Sequence, residues 1–242
     1  MYRLLVIIDL EKGKELAKMY ANKWNINANL NLESGLYEWT EEAITQYRKV
    51  LEIGCGTGQS TITFLRRDHE VYAVDMDSDC ISYCEKMVLD EGYSVYKTSL
   101  NEKIAFSNED TTLLCADFSE DIARILKHLD PDVVVMWNPG GWEIGGCSQE
   151  KVVERIWQLI DSVIEYAESK DIPFMLLNRF SSVKKADTFW NDVANSTKMK
   201  ISYQANRWEH QEPQGGIPLI DDGKHIYDIY YSVALFVPGE VD

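Results

Sequence analysis

The chain has 242 residues, 45% of them hydrophobic, and a formal net charge of -16 at neutral pH. This composition excludes the disordered and fibrous classes and can bury a substantial core, while the acidity, with no cluster of Lys or Arg to offset it, argues against nucleic acid and for a small or cationic partner. No segment approaches the roughly 18 uninterrupted apolar residues of a membrane span, and Met1 to Asp9 is too short and too acidic afterwards for a secretory signal, so a cytoplasmic protein with no membrane partner is expected.

In chain order, residues 1–47 are expected to form an N-terminal helical cap over one mouth of a sheet. Leu10 to Trp24 can form an amphipathic helix, Asn25 to Glu33 reads as a polar, Asn-rich linker, and Tyr37 to Tyr47 can form a second helix. The main domain is expected over residues 48–242. There, short apolar runs alternate with helical patterns: Lys49–Ile53, Glu70–Val74, Thr112–Ala116, Pro131–Trp137 and Pro173–Leu177 read as strands. From Gln149 to Ser169, Val152, Val153, Ile156, Leu159, Ile160, Val163, Ile164 and Ala167 recur at helical spacing. Alternating strands and helices predict an α/β fold with a doubly wound, mostly parallel sheet covered on both faces. Near the C-terminus the pattern changes. Lys200–Gln204 and Tyr227–Val237 read as strands with no helix between them, which predicts an antiparallel pair at the sheet edge. Their connection, Ala205 to Ile226, is long enough to be functional or mobile and carries Trp208, Glu209 and His210.

Five scattered cysteines, Cys55, Cys80, Cys84, Cys115 and Cys147, suit reduced thiols better than a disulfide framework. Cys80 and Cys84 can face one another across a helical turn, but no histidine lies near them in sequence, so no metal site is expected.

The chemistry concentrates in Val50 to Thr61, where Gly54, Gly56 and Gly58 follow an apolar strand and precede a helix from about Gln59. Bare backbone at a helix N-terminus admits a ligand closely. The spacing lacks the third glycine position of the dinucleotide fingerprint, and no Lys-Ser/Thr pair follows as in a phosphate-binding P-loop. Glu52, inside the strand end, sits badly beside a pyrophosphate because like charges repel at short range. These residues point to a ligand that lacks phosphates and carries an amine.

Leu51-Glu-Ile-Gly-Cys-Gly-Thr-Gly58 resembles the first motif of the class I S-adenosylmethionine-dependent methyltransferases, and the resemblance continues over roughly residues 48–180. It implies a Rossmann-like sheet, S-adenosylmethionine as cofactor and S-adenosylhomocysteine as product. Asp75, 21 residues after Gly54, matches the acidic residue that accepts hydrogen bonds from both ribose hydroxyls, with Asp77 as the alternative. Cys115-Ala-Asp-Phe118 resembles the third motif, in which Asp117 receives the adenine amino group and Phe118 lies near the ring; Met76 can cover the opposite face. Glu52 and the backbone of Gly54, Cys55 and Gly56 are expected to hold the methionine moiety, with Gly58 completing the turn.

The acceptor side is read from fewer residues. Asn138 and Pro139, after the fourth predicted strand, match the beginning of the Asn/Asp/Ser-Pro-Pro-aromatic motif of enzymes that methylate an amino nitrogen, but Gly140 replaces the second proline and Trp142 comes one residue late. A Pro-Gly turn that merely ends a strand is the other reading of these residues. Asn138 is also expected beside the cofactor. Methyl transfer is an in-line displacement in which alignment supplies much of the catalysis, so a base is needed only where the acceptor must lose a proton; His210, Glu209 and Glu143 are the candidates. Tyr37, Trp39, Trp142 and Trp208 are the candidate substrate contacts. A small-molecule acceptor is favoured, because the chain is acidic and the cap and late loop can enclose a pocket; an amino-methyltransferase acting on a protein side chain or nucleic-acid base, or a non-catalytic cofactor-binding protein, are the alternatives.

Overall fold

A computed structural model describes residues 18–19, 21–99, 109–116, 129–137, 149–210, 219–221 and 224–239. Residues 21–33 form helix α1. Then follow α2 (Leu36–Glu41), β1 (Lys49–Ile53), α3 (Gln59–Leu65), β2 (Glu70–Asp75), α4 (Ser78–Asp90), β3 (Val95–Thr98), β4 (Thr111–Cys115) and β5 (Val133–Trp137). The chain continues through α5 (Gln149–Lys170), β6 (Phe174–Phe180), α6 (Val183–Asn195), β7 (Met199–His210), β8 (Leu219–Asp221), β9 (Lys224–Ile226) and β10 (Asp228–Pro238). The calls on Asp117, Phe118, Asn138, Pro139, Trp142 and Glu143 lie outside the described residues.

Eight strands form one sheet in the order β3-β4-β2-β1-β5-β6-β10-β7, and β8 and β9 form a separate antiparallel pair. All neighbours from β3 to β6 run parallel, whereas β10 pairs antiparallel with both β6 and β7. This is the predicted doubly wound α/β fold. The chain winds outward from β1 to one side through β2 and to the other through β5, so the crevice where ligands of such sheets bind opens beyond the C-terminal ends of these central strands.

The parallel strands are buried on both faces, which is why they appear as continuous apolar runs. Leu51, Ile53, Tyr72 and Val74 pack with Ile160, Val163 and Trp190 on one face; Val50, Val71, Ala73 and Val135 pack with Leu36, Ile44, Ile62 and Phe64 on the other. Asp77 starts α4 by accepting hydrogen bonds from the Asp79 and Cys80 amides at 2.8 and 3.1 Å, a role that uses the side chain the sequence offered as the alternative to Asp75.

Several boundaries differ from expectation. Asn25 to Glu33 is helix, not linker. Asparagine is a poor helix former, but here its carboxamides find partners on other elements, so tertiary bonding overrides propensity. The second helix stops at Glu41. The strand β3, at the edge beside β4, was not foreseen because it is short and carries Lys97. Most consequentially, β7 runs on to His210, pairing Arg207 with Tyr231, Trp208 with Tyr230 and His210 with Asp228. Trp208, Glu209 and His210 therefore lie on the edge strand and not in a loop. Arg207 and Glu209 occupy the half-buried face of β7 and Trp208 and His210 the exposed one, so the apolar alternation that would have marked the strand is lost toward its end. Among the described residues no helix is long and apolar enough to cross a membrane, and no cluster of His, Cys, Asp or Glu is arranged to hold a metal ion.

Candidate cofactor and active site

The loop after β1 turns through three left-handed glycines: Gly54, Gly56 and Gly58 have φ of 76, 54 and 100°. The Gly54 and Cys55 amides both donate to the Val74 carbonyl, at 2.8 and 3.2 Å, tying the loop to β2. At Gly58 a Cβ would lie 2.8 Å from Cys84 Cα, because α4 packs directly on the turn. At Gly56 a Cβ would lie 2.2 Å from Trp24 Nε1, so the indole of α1 rests on the bare backbone.

Asp75 ends β2 and is half-buried. Its Oδ2 accepts the Gly56 amide and its Oδ1 the Asp77 amide, each at 2.9 Å. Burial pushes its carboxyl up to about 6, although these backbone donors pull the other way. A carboxylate is an acceptor-only group that takes several donors, so Asp75 suits the two adjacent hydroxyls of a ribose. Met76 follows with 38% of its surface exposed, an apolar thioether available to cover a ring.

Glu52 is fully buried one strand away. It accepts hydrogen bonds from the Ser60 hydroxyl, from Thr61 Oγ1 at 2.6 Å and from Trp137 Nε1 at 2.8 Å. Burial pushes its carboxyl up to about 7, against the pull of those three donors. It thus joins the first turn of α3 to the end of β5. Cys55 is buried beside Cys84, leaving its backbone as the part a ligand can reach.

Comparison with known proteins bears directly on this loop. Residues 50–132 match a family model described as a methyltransferase domain, from β1 through the approach to β5. This match supports an S-adenosylmethionine-dependent methyltransferase. A Bacillus subtilis (strain 168) relative named "Putative methyltransferase YqeM" is 19% identical to this chain over 195 residues, covering 70% of this chain and 79% of that one. Two solved structures share the fold. One, titled a "putative RNA methyltransferase" from Pyrococcus horikoshii, has a TM-score of 0.55 at 12% identity and covers 87% of this chain and 83% of its own. The other, a SAM-dependent methyltransferase from Agrobacterium tumefaciens, has a TM-score of 0.53 at 15% identity, with 86% of this chain and 62% of that chain covered.

Beside this loop, Tyr37 packs edge-on against Trp137 with ring centroids 5.2 Å apart, and burial raises its phenol well above the usual tyrosine range. Trp39 is half-buried against the same cluster. Trp208, by contrast, is 55% exposed, and His210 Nδ1 meets Asp228 Oδ1 at 2.7 Å at the open end of the edge strand. Strand β7 lies four places from β1, which at about 4.8 Å per strand is roughly 19 Å. The structure therefore gathers Glu52, Asp75, Met76, Tyr37 and the glycines around the central strands, and leaves Trp208 and His210 at the sheet's far side.

Sequence reasoning missed the residues that bridge this distance. Gln59 Nε2 donates to Asn25 Oδ1 and Asn29 Oδ1, both at 2.8 Å, while its Oε1 accepts the Thr57 hydroxyl at 2.7 Å. The Tyr231 hydroxyl donates to Asn31 Oδ1 at 2.9 Å, and Arg207 donates to the carbonyls of Ser34 and Gly35, the latter at 2.9 Å. The Arg179 guanidinium stands 6.0 Å from the Trp24 ring. Thirteen helical residues span about 20 Å, so α1 runs from the glycine loop at Trp24 to β10 and β7 beyond Asn31. The four-residue spacing of Asn25 and Asn29, which places both on one helix face, was the available signal.

Proposed function

We propose that this protein transfers the methyl group of S-adenosylmethionine to a small-molecule acceptor held under α1, beyond the C-terminal ends of β5 and β6 and the N-terminal end of β10. The observation that carries the reading is the bridging course of α1, tied to the glycine loop at one end and to Tyr231 and Arg207 at the other. A helix fastened across the mouth of the sheet suits an enclosed acceptor better than an extended polymer. The division into a cap over residues 1–47 and a catalytic domain over 48–242 belongs to this proposal.

When bound, the cofactor supplies an electrophilic methyl group on a sulfonium. In this reading Asp75 takes the ribose hydroxyls, Asp117 the adenine amino group, and Phe118 and Met76 the ring faces. Backbone at Gly54, Cys55 and Gly56 receives the methionine end, and Gly58 keeps the turn tight. Glu52 acts on that end by fixing Ser60, Thr61 and Trp137, which already satisfy its carboxylate. Tyr37, Trp39 and Trp142 shape the acceptor space near the cofactor and Trp208 its far end at β7, while Asn138 and Pro139, directly after Trp137, orient the acceptor beside the cofactor. For an acceptor that must lose a proton, His210, oriented by Asp228 at the far edge of the sheet, is the base only where the acceptor is long enough to reach it.

The Asn138-Pro139 pair also favours a second reading, methylation of an amino nitrogen on a protein side chain or nucleic-acid base, and a structure sharing the fold is titled an RNA methyltransferase. Incubating the protein and methyl-labelled cofactor with cell metabolites, RNA and protein, then following the label by mass spectrometry, separates the two. Label in small molecules is expected; label confined to RNA or protein overturns the first reading. An Asn138→Ala variant that keeps cofactor affinity but loses most of kcat would assign that residue to the acceptor nitrogen.

A further inference from the structure

We propose that α1 is a strap whose docking completes the cofactor pocket, with Trp24 as a direct contact to the methionine end of S-adenosylmethionine and Gln59 as the positioning residue that holds it there; this rests on the cofactor assignment above. Trp24 fills the space beside Gly56 that any side chain at that position would need. The amide of the same glycine donates to Asp75, so the indole lies one residue from the group assigned to the ribose and against the backbone assigned to the methionine moiety.

The means of holding it is specific. Gln59 is only 1% exposed, and both of its amide hydrogens and its carbonyl are committed: two bonds to α1 and one to Thr57, which lies between Gly56 and Gly58. One side chain therefore sets the position of the loop, the first turn of α3 and the strap together. The strap itself is intrinsically weak, since five of its thirteen residues are asparagines, Asn22, Asn25, Asn27, Asn29 and Asn31. Its helix depends on docking. Any ligand that favours the docked loop geometry must stabilise the strap, and by linkage the docked strap raises affinity for that ligand by the same factor.

The test uses the full chain and S-adenosylhomocysteine. In wild type, saturating ligand should slow tryptic cleavage after Lys23 by about fivefold or more, because cleavage needs the undocked strap. By calorimetry, Trp24→Ala and Gln59→Leu should each weaken binding about tenfold or more, Trp24→Phe should retain affinity within about threefold, and Gln59→Leu should lose the protection at Lys23. Melting curves identify any variant that fails to fold, and Asn29→Ala, which removes one of the three bonds, then takes the place of Gln59→Leu with the same readouts and a smaller expected loss. Folded variants that bind like wild type, or wild type that binds without protection at Lys23, overturn the strap while leaving the cofactor assignment intact. Wild type that does not bind S-adenosylhomocysteine overturns both.

Discussion

The half of the sheet from β3 to β1 and the half from β5 to β7 are held together over different lengths of chain. Around the glycine loop the decisive bonds are local: Ser60 and Thr61 reach Glu52 from 8 and 9 residues away, and Gly56 reaches Asp75 from 19. Around the other half they join distant chain, with Arg207 meeting Gly35 across 172 residues and Tyr231 meeting Asn31 across 200. A cofactor site built from adjacent strand ends can be written into one stretch of sequence, whereas an acceptor site closed by a remote helix cannot. Trp137 connects the two, donating to Glu52 across 85 residues.

The largest expected effect breaks the local half. Gly58→Val places a β-branched side chain at φ 100°, with its Cβ 2.8 Å from the Cys84 backbone; strain and overpacking together should cost about 4 kcal/mol, read as a lowered denaturation midpoint or failure to fold. Glu52 should then show as a pH effect. Its folded value is raised from 4.5 to about 7, so the folded state holds the proton more tightly. The corresponding stability is fully present below about pH 4.5 and lost as pH rises through about 7, to the extent of about 3 kcal/mol. Denaturation of wild type and the Glu52→Gln variant at pH 5 and pH 8 checks this: the variant should lose that part of the pH dependence, and an unchanged profile would mean that Glu52 is ionised in the folded protein throughout.

Asp75→Ala should weaken S-adenosylhomocysteine by about thirtyfold to a hundredfold in calorimetry, the worth of charge-assisted hydrogen bonds to the ribose, with a smaller loss of stability. His210→Ala sharpens the comparison from the other side. For an acceptor that keeps its proton until after transfer, the turnover rate should fall less than about tenfold, whereas a base acting in the transition state contributes about 10²- to 10⁴-fold. A loss of that size would locate the acceptor at the far end of β7 and β10.

Particular residues show why legibility differed. The valines of β5 announced a strand buried on both faces, and the glycines with Glu52 announced a ligand without phosphates, because local sterics and like-charge repulsion need no partner to be inferred. Trp208 and His210 were assigned to a loop because Arg207 and Glu209, on the half-buried face of β7, break the apolar alternation that marks a strand. Asn25 and Asn29 were read as linker because their propensity argues against helix until Gln59 supplies the partner. Both errors concern segments whose side-chain partners lie on other elements.

By itself the sequence determined the α/β alternation, the left-handed turns after β1, and the positions of Asp75 and Glu52 at neighbouring strand ends, all consequences of periodicity and backbone sterics acting over short separations. Only the tertiary structure decided that Trp24 rests on Gly56, that Gln59 fastens an asparagine-rich helix to the loop, and that the strand carrying His210 lies four places from β1, roughly 19 Å across the sheet. Those outcomes depend on hydrogen bonds between segments far apart in the chain, whose energies exist only after the sheet has brought their partners together.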